Sequence, residues 1–130
     1  MVMNRILSYG SLREGDYNFD RMKDMFGNKG IKRLDTFILS NYRIYDLGHY
    51  PGLNKSNNEL DKVTFDLLEV SNECMDFIRR MERGAGYTEE LIKEHNALLF
   101  VYNTDLGKYK DTEFISSGDW LKYLKQKELV

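Results

Sequence analysis

Residues 61–83 read DKVTFDLLEVSNECMDFIRRMER, and two different periodicities meet inside them. Val63, Phe65 and Leu67 alternate with Thr64 and Asp66, the period of two that a half-buried strand shows. Leu68 and Val70 break that alternation. Ser71 is a residue type that caps helices. After it Cys74, Met75, Phe77, Ile78 and Met81 recur at the three- and four-residue spacings of an amphipathic helix. Gly84-Ala85-Gly86 ends the helix. A strand that passes directly into a helix sets the pattern for the flanking sequence.

Toward the N-terminus, Arg5-Ile6-Leu7-Ser8-Tyr9 reads as a short buried strand stopped at Gly10. Phe19, Met22 and Phe26 then form one face of a short helix, with Asn18 or Asp16 as its cap and Gly27-Asn28-Lys29-Gly30 as its end. Ile31 to Leu39 and Asn41 to Tyr45 read as extended segments, Leu47-Gly48-His49-Tyr50-Pro51-Gly52 as a loop, and Asn54 to Asn58 as an exposed polar loop. Toward the C-terminus, Thr88 to Asn96 and the apolar Ala97 to Asn103 read as two strands, Asp105-Leu106-Gly107 as a turn, and Trp120, Leu121 and Leu124 as a last short helix. Several neighbouring strands are joined by loops too short for a crossover helix, so antiparallel pairing is expected. The fold class is α+β: a small mixed, mainly antiparallel sheet curled toward a barrel, with two or three short helices.

The 130 residues suit one domain spanning 1–130, and 42% hydrophobic content supplies a core. A formal net charge of −2 gives no global signal for nucleic acid. The apolar run in Met1 to Leu7 is too short for a signal peptide, and no stretch approaches the length that spans a bilayer. With Cys74 as the lone cysteine no internal disulfide forms, and a reduced, cytoplasmic setting is the simpler expectation. His49 and His95 have no partners at metal-ligand spacing, so no metal site is expected. Cys74 falls on the apolar stripe and reads as core, and Lys122, Lys125 and Lys127 read as a solvated face.

Three features can carry chemistry. Tyr9-Gly10-Ser11-Leu12 sits between a strand and a helix, where a glycine lets the backbone approach a ligand and successive N–H groups can cradle a carboxylate or phosphate. It lacks the second glycine and Lys-Ser/Thr pair of a phosphate loop and the Gly-x-Ser-x-Gly frame of a nucleophile elbow. An ordinary strand-to-helix turn is the other reading. Glu82 lies four residues after Ile78 and seven after Met75, at the edge of the apolar stripe and near the negative end of the helix dipole. Both effects raise a carboxyl pKa toward the range useful for proton transfer. A surface ion pair with Arg79 or Arg83 is the competing reading. Gly84-Ala85-Gly86-Tyr87 follows at once and either holds Glu82 at a cavity mouth or simply terminates the helix.

Taken together these segments resemble the gamma-glutamylcyclotransferase-like (AIG2-like) family. The matching segments run in order from residue 6 to about 121. They are Ser8-Tyr9-Gly10-Ser11-Leu12-Arg13-Glu14-Gly15 with the trailing Asn18, then Gly48-His49-Tyr50-Pro51-Gly52, then the strand Asp61 to Val70. Met81-Glu82-Arg83-Gly84-Ala85-Gly86-Tyr87, Ala97 to Tyr102 and Ile115-Ser116-Ser117-Gly118-Asp119-Trp120 complete the set. Phe65 stands where the family usually has a glycine, and Arg83-Gly84-Ala85 separate the glutamate from Gly86-Tyr87. The resemblance implies a cyclotransferase that converts a γ-glutamyl amide to 5-oxoproline and a free amine without a metal or organic cofactor. Glu82 would be the general acid/base, Tyr9, Gly10, Ser11 and Leu12 would bind substrate, and Tyr50, Pro51, Gly86 and Tyr87 would complete the pocket. The partner implied is a small molecule with a glutamyl or similar anionic group, with no nucleic acid and no membrane. The alternative is a non-catalytic protein that sequesters an anionic metabolite or nucleotide in the same pocket; a third reading, a purely structural or interaction protein, expects no enclosed pocket at the Tyr9 loop.

Overall fold

A computed structural model describes residues 4–48, 50–84, 86–109 and 111–128. His49, weighed above as a metal ligand, and Ala85 of the glycine-rich turn lie outside the described residues.

The chain order is β1 (Asn4–Ser8), α1 (Tyr17–Phe26), β2 (Ile31–Ser40), β3 (Tyr42–Asp46), β4 (Pro51–Lys55), β5 (Lys62–Val70), α2 (Asn72–Gly84), β6 (Thr88–Ile92), β7 (Ala97–Val101), β8 (Glu113–Phe114) and α3 (Trp120–Glu128). One sheet has the order β2-β5-β1-β7-β6 and the other β4-β3-β8. Every pairing is antiparallel except β1 with β7, so the sheet is mixed, as short connections predict. β5 lies between β2 and β1, and the successive residues Phe65, Asp66, Leu67 and Leu68 are all buried, so both its faces are covered there. That is why Leu68 and Val70 depart from strict alternation: a strand buried on both sides has no reason to keep one face polar.

The large sheet is curled but not closed. Phe37 of edge strand β2 stacks on His95, just past the opposite edge strand β6, with ring centroids 4.3 Å apart. Among the described residues no ladder joins those edges. The small sheet closes over the same core: Tyr102 N donates to the Leu53 carbonyl at 3.0 Å and Ile115 N to the Ile44 carbonyl at 3.0 Å. Ile6, Leu7, Phe19, Met22, Phe65, Leu68, Met75, Ile78 and Leu99 form one buried cluster between the layers.

Local signals account for the helices. Asp16, not Asn18, caps α1, its carboxylate accepting from Tyr17 N at 2.8 Å. Ser71 Oγ accepts from Cys74 N at 3.2 Å and caps α2. The segment from Asn54 departs from expectation. Asn54 is buried at the end of β4, a strand that opens with Pro51 at its first position, where a missing N–H is tolerated. Its amide nitrogen donates to the Tyr102 and Thr104 carbonyls at 3.1 and 2.9 Å, and its oxygen accepts from Leu106 N at 2.8 Å. A polar residue that satisfies three backbone groups is core, and polarity alone does not reveal that. Lys122, Lys125 and Lys127 are exposed, as a solvated face requires, and Lys127 Nζ reaches from it to within 2.9 Å of Asp46 Oδ2. No described helix is long and apolar enough to cross a membrane.

Candidate active site

In the turn after β1 the carbonyls of Gly10 and Ser11 are occupied. Arg13 N donates to the Gly10 carbonyl at 2.9 Å, and Asn18 N and Phe19 N both donate to the Ser11 carbonyl, at 3.1 and 3.2 Å. Among the described residues, the turns and caps around it give the backbone N–H groups of Gly10, Ser11 and Leu12 no acceptor. The back of the turn is pinned by buried charge. Arg13 Nη1 lies 2.8 Å from Asp119 Oδ1, and its Nε 3.5 Å from Asp66 Oδ1. Asp66 in turn accepts from Glu14 N at 2.9 Å and Thr36 Oγ1 at 2.7 Å. Gly10 packs flat on Pro51: a Cβ at Gly10 would overlap the proline ring. The Tyr-Gly and Pro-Gly segments, far apart in the chain, are therefore in direct contact for a steric reason.

Glu82 enters from the last turn of α2. It borders a cavity of about 250 Å³ that is also lined by Tyr9, Gly10, Ser11, Leu12, Tyr50, Pro51 and Tyr87. Eight of the nine residues named from the sequence thus face one space. The ninth, Gly86, does not line it; it takes a positive φ of 92° just beyond α2, and a Cβ there would meet Tyr102 at 3.5 Å. Its service is to turn the chain so that Tyr87 N returns to the Glu82 carbonyl at 3.2 Å.

The ion-pair reading of Glu82 fails. Arg79 and Arg83 both turn to Glu89, at 2.5 and 3.7 Å. Among the described residues no cation pairs with Glu82, and burial pushes its carboxyl up from 4.5 to about 7. Three tyrosines surround it. Tyr9 is buried, its hydroxyl donating to the Phe100 carbonyl at 2.6 Å, and burial followed by the nearby Glu82 charge holds its pKa well above the ordinary value. Tyr87 donates to the Pro51 carbonyl, and burial raises it strongly, with Tyr9 and Glu82 adding to the effect. Tyr102, pushed up to about 12 mainly by burial, packs on Tyr87 with ring centroids 4.4 Å apart. These hydroxyls stay protonated around neutrality, so Glu82 is the group in this cluster poised to exchange a proton.

The cavity also contains Tyr17, Asn18 and Arg21 of α1, together with Met81 and Phe100, none of which the sequence reading placed at the site. Arg21 lies three residues after Asn18 and four after Tyr17, so it shares a side of the helix with both, and that spacing was the signal available. Phe65, the departure noted above, is fully buried behind the site, edge-on to Tyr9 at 6.0 Å. A larger, more open hollow of about 550 Å³ lies around Asn54 and Asp61, where Arg43 and Ser56 both bond Asp61 and Asn54 is committed to backbone groups. Among the described residues no group of three or more His, Cys, Asp or Glu is placed to hold a metal ion.

The family model described as Gamma-glutamyl cyclotransferase, AIG2-like, matches residues 6–122. The chain is 32% identical over 119 residues to the Gamma-glutamylcyclotransferase family protein YtfP of Escherichia coli K12, covering 90% of this chain and 96% of that one. The solution structure of ytfP from Escherichia coli superposes with a TM-score of 0.67 at 30% identity, over 92% of this chain and 97% of that one. The crystal structure of an uncharacterized protein from Pyrococcus horikoshii superposes with a TM-score of 0.71 at 26% identity, over 97% of each chain.

Proposed function

The chain belongs to the Gamma-glutamyl cyclotransferase, AIG2-like, family, and from that premise we propose that its cavity converts a γ-glutamyl amide to 5-oxoproline and a free amine, with Glu82 as general acid and base. The observation that carries this reading is the shared cavity: the carboxyl of Glu82 and the turn at Gly10–Leu12 border the same space.

The substrate enters with a neutral α-amine. As the amine nitrogen bonds to the γ-carbonyl carbon, it passes one proton to the Glu82 carboxylate. The bond from that carbon to the leaving nitrogen then breaks, and Glu82 returns the proton to that nitrogen. One carboxyl can serve both steps because a pKa of about 7 leaves both of its forms populated near neutrality. The backbone N–H groups of Gly10, Ser11 and Leu12 hold the glutamyl carboxylate. The attack is intramolecular, so the protein mainly holds a folded conformer, a contribution of about 7–11 kcal/mol in well-aligned cases. The hydroxyls of Tyr9 and Tyr87 are tied to backbone carbonyls and act as rigid walls.

The experiment is incubation with γ-L-glutamyl-L-alanine and a γ-glutamyl alkylamine, following 5-oxoproline by chromatography. The expected result is product with at least one substrate and a loss of about 100- to 10,000-fold in Glu82→Gln. Undiminished product in Glu82→Gln rejects the role of Glu82, and tight binding without turnover would favour a sequestering protein instead.

A further inference from the structure

We propose that Asn18, through its side-chain oxygen, is the positioning residue that accepts a hydrogen bond from the α-nitrogen of the substrate; the inference rests on the cyclotransferase reading of the cavity. Asn18 is the second residue of α1, is only 6% exposed and borders the same cavity as Glu82. Its Nδ2 donates to Ser11 Oγ at 2.7 Å, and its backbone N–H donates to the Ser11 carbonyl at 3.1 Å. These two bonds fix the amide against the substrate-binding turn and leave Oδ1 pointing away from Ser11. That oxygen is buried and meets no donor among the described residues. Buried acceptors are almost always satisfied, because an unpaired one forfeits its hydration without return. A buried acceptor without a donor, on a residue that lines the cavity, is therefore matched to a donor that arrives with the ligand.

Chemistry says which donor. A γ-glutamyl compound presents a carboxylate at one side of its α-carbon and a nitrogen at the other. A carbonyl oxygen repels the carboxylate and attracts the N–H. With the carboxylate on the backbone N–H groups of residues 10 to 12, the nitrogen is turned to Asn18 and Glu82 together. Asn18 forms and breaks no covalent bond and moves no proton. It holds one N–H of the amine while Glu82 takes another, so the lone pair faces the γ-carbonyl. The nitrogen keeps one N–H in the lactam product, so the same contact persists to the end of the reaction.

The test uses the full chain and two non-reacting probes in calorimetry. One is L-5-oxoproline. The other is 5-oxotetrahydrofuran-2-carboxylate, whose ring oxygen replaces the lactam N–H. Wild type should prefer the lactam by about tenfold or more. Asn18→Asp, which keeps an acceptor, should retain that preference, whereas Asn18→Ala should lose about tenfold of it and bind the lactone within about threefold of wild type. In steady state with γ-L-glutamyl-L-alanine, Asn18→Ala should lower kcat by about 10- to 100-fold with KM moving less than about threefold. Wild type that binds the probes equally or binds neither overturns the inference, as does a preference that survives in Asn18→Ala or is lost in Asn18→Asp. The two readings fail separately. Product formed at the wild-type rate by Asn18→Ala rejects the role of Asn18 and keeps the cyclotransferase. Loss of lactam preference in Asn18→Ala, in a protein that makes no 5-oxoproline, upholds the acceptor and rejects the cyclotransferase.

Discussion

Replacing Glu82 by glutamine should make the folded protein less sensitive to rising pH, and the structure sets the size of the effect. Burial raises the carboxyl from 4.5 to about 7 in the folded chain, while the unfolded chain retains the ordinary value. Below pH 4.5 the group is protonated in both states and contributes nothing to the difference. Between 4.5 and about 7 the unfolded chain releases the proton and the folded chain keeps it, so the folded state binds more protons and stability falls as pH rises. At about 1.4 kcal/mol per pH unit, the full gap is worth about 3 kcal/mol by about pH 8. Glu82 is half-buried, and water in the cavity screens part of this, so the effect should lie between about 1 and 3 kcal/mol. Glutamine has nearly the same shape and no charge to lose. Urea unfolding of both proteins at about pH 4.5 and about pH 8 measures it directly. The free-energy difference between Glu82→Gln and wild type should shift toward the variant by that amount from the lower to the higher pH. A difference that does not change with pH, or that shifts toward wild type, would refute the assignment of a desolvated, unpaired carboxyl.

Three other outcomes follow from the same geometry. The cyclisation rate at low substrate should rise with pH through about 7 as Glu82 becomes the carboxylate, and a rising limb near 4.5 would place the proton acceptor elsewhere. Asp66→Ala leaves Arg13 with Asp119 as its carboxylate partner and removes the acceptor from Glu14 N and Thr36 Oγ1, so it should cost about 2–4 kcal/mol in denaturant unfolding. Asn54→Ala leaves two carbonyls and one N–H without their partner and should cost about 2 kcal/mol or more, whereas an exposed loop asparagine would cost almost nothing.

The strand-to-helix passage from β5 into α2 is legible because two periods meet there with a serine cap between them, and the apolar run of β7 is legible from composition alone. What sequence order hides is contact between distant segments. Gly10 and Pro51 each read as a local turn residue, yet the glycine is required by the proline ring that lies on it. Asn54 reads as loop because a polar side chain that serves three backbone groups looks the same in sequence as one in water. For Glu82 the sequence offers both a pocket and an ion pair because Arg79 and Arg83 stand close by along the chain. Their true partner, Glu89, comes within reach only after the chain turns at Gly86 into β6. The α1 residues at the cavity escape a sequence reading for a similar reason: a helix one turn past a binding loop faces back over it, and spacing alone does not say which face does so.

The central claim is that a half-buried carboxyl at Glu82 exchanges protons near neutrality beside the turn at Gly10–Leu12. A carbon-detected NMR titration of the protein labelled with ¹³C at the glutamate side-chain carboxyl, assigned by Glu82→Gln, tests it most directly. The resonance assigned to Glu82 should titrate with a midpoint near 7; a midpoint near the ordinary 4.5 would contradict the account.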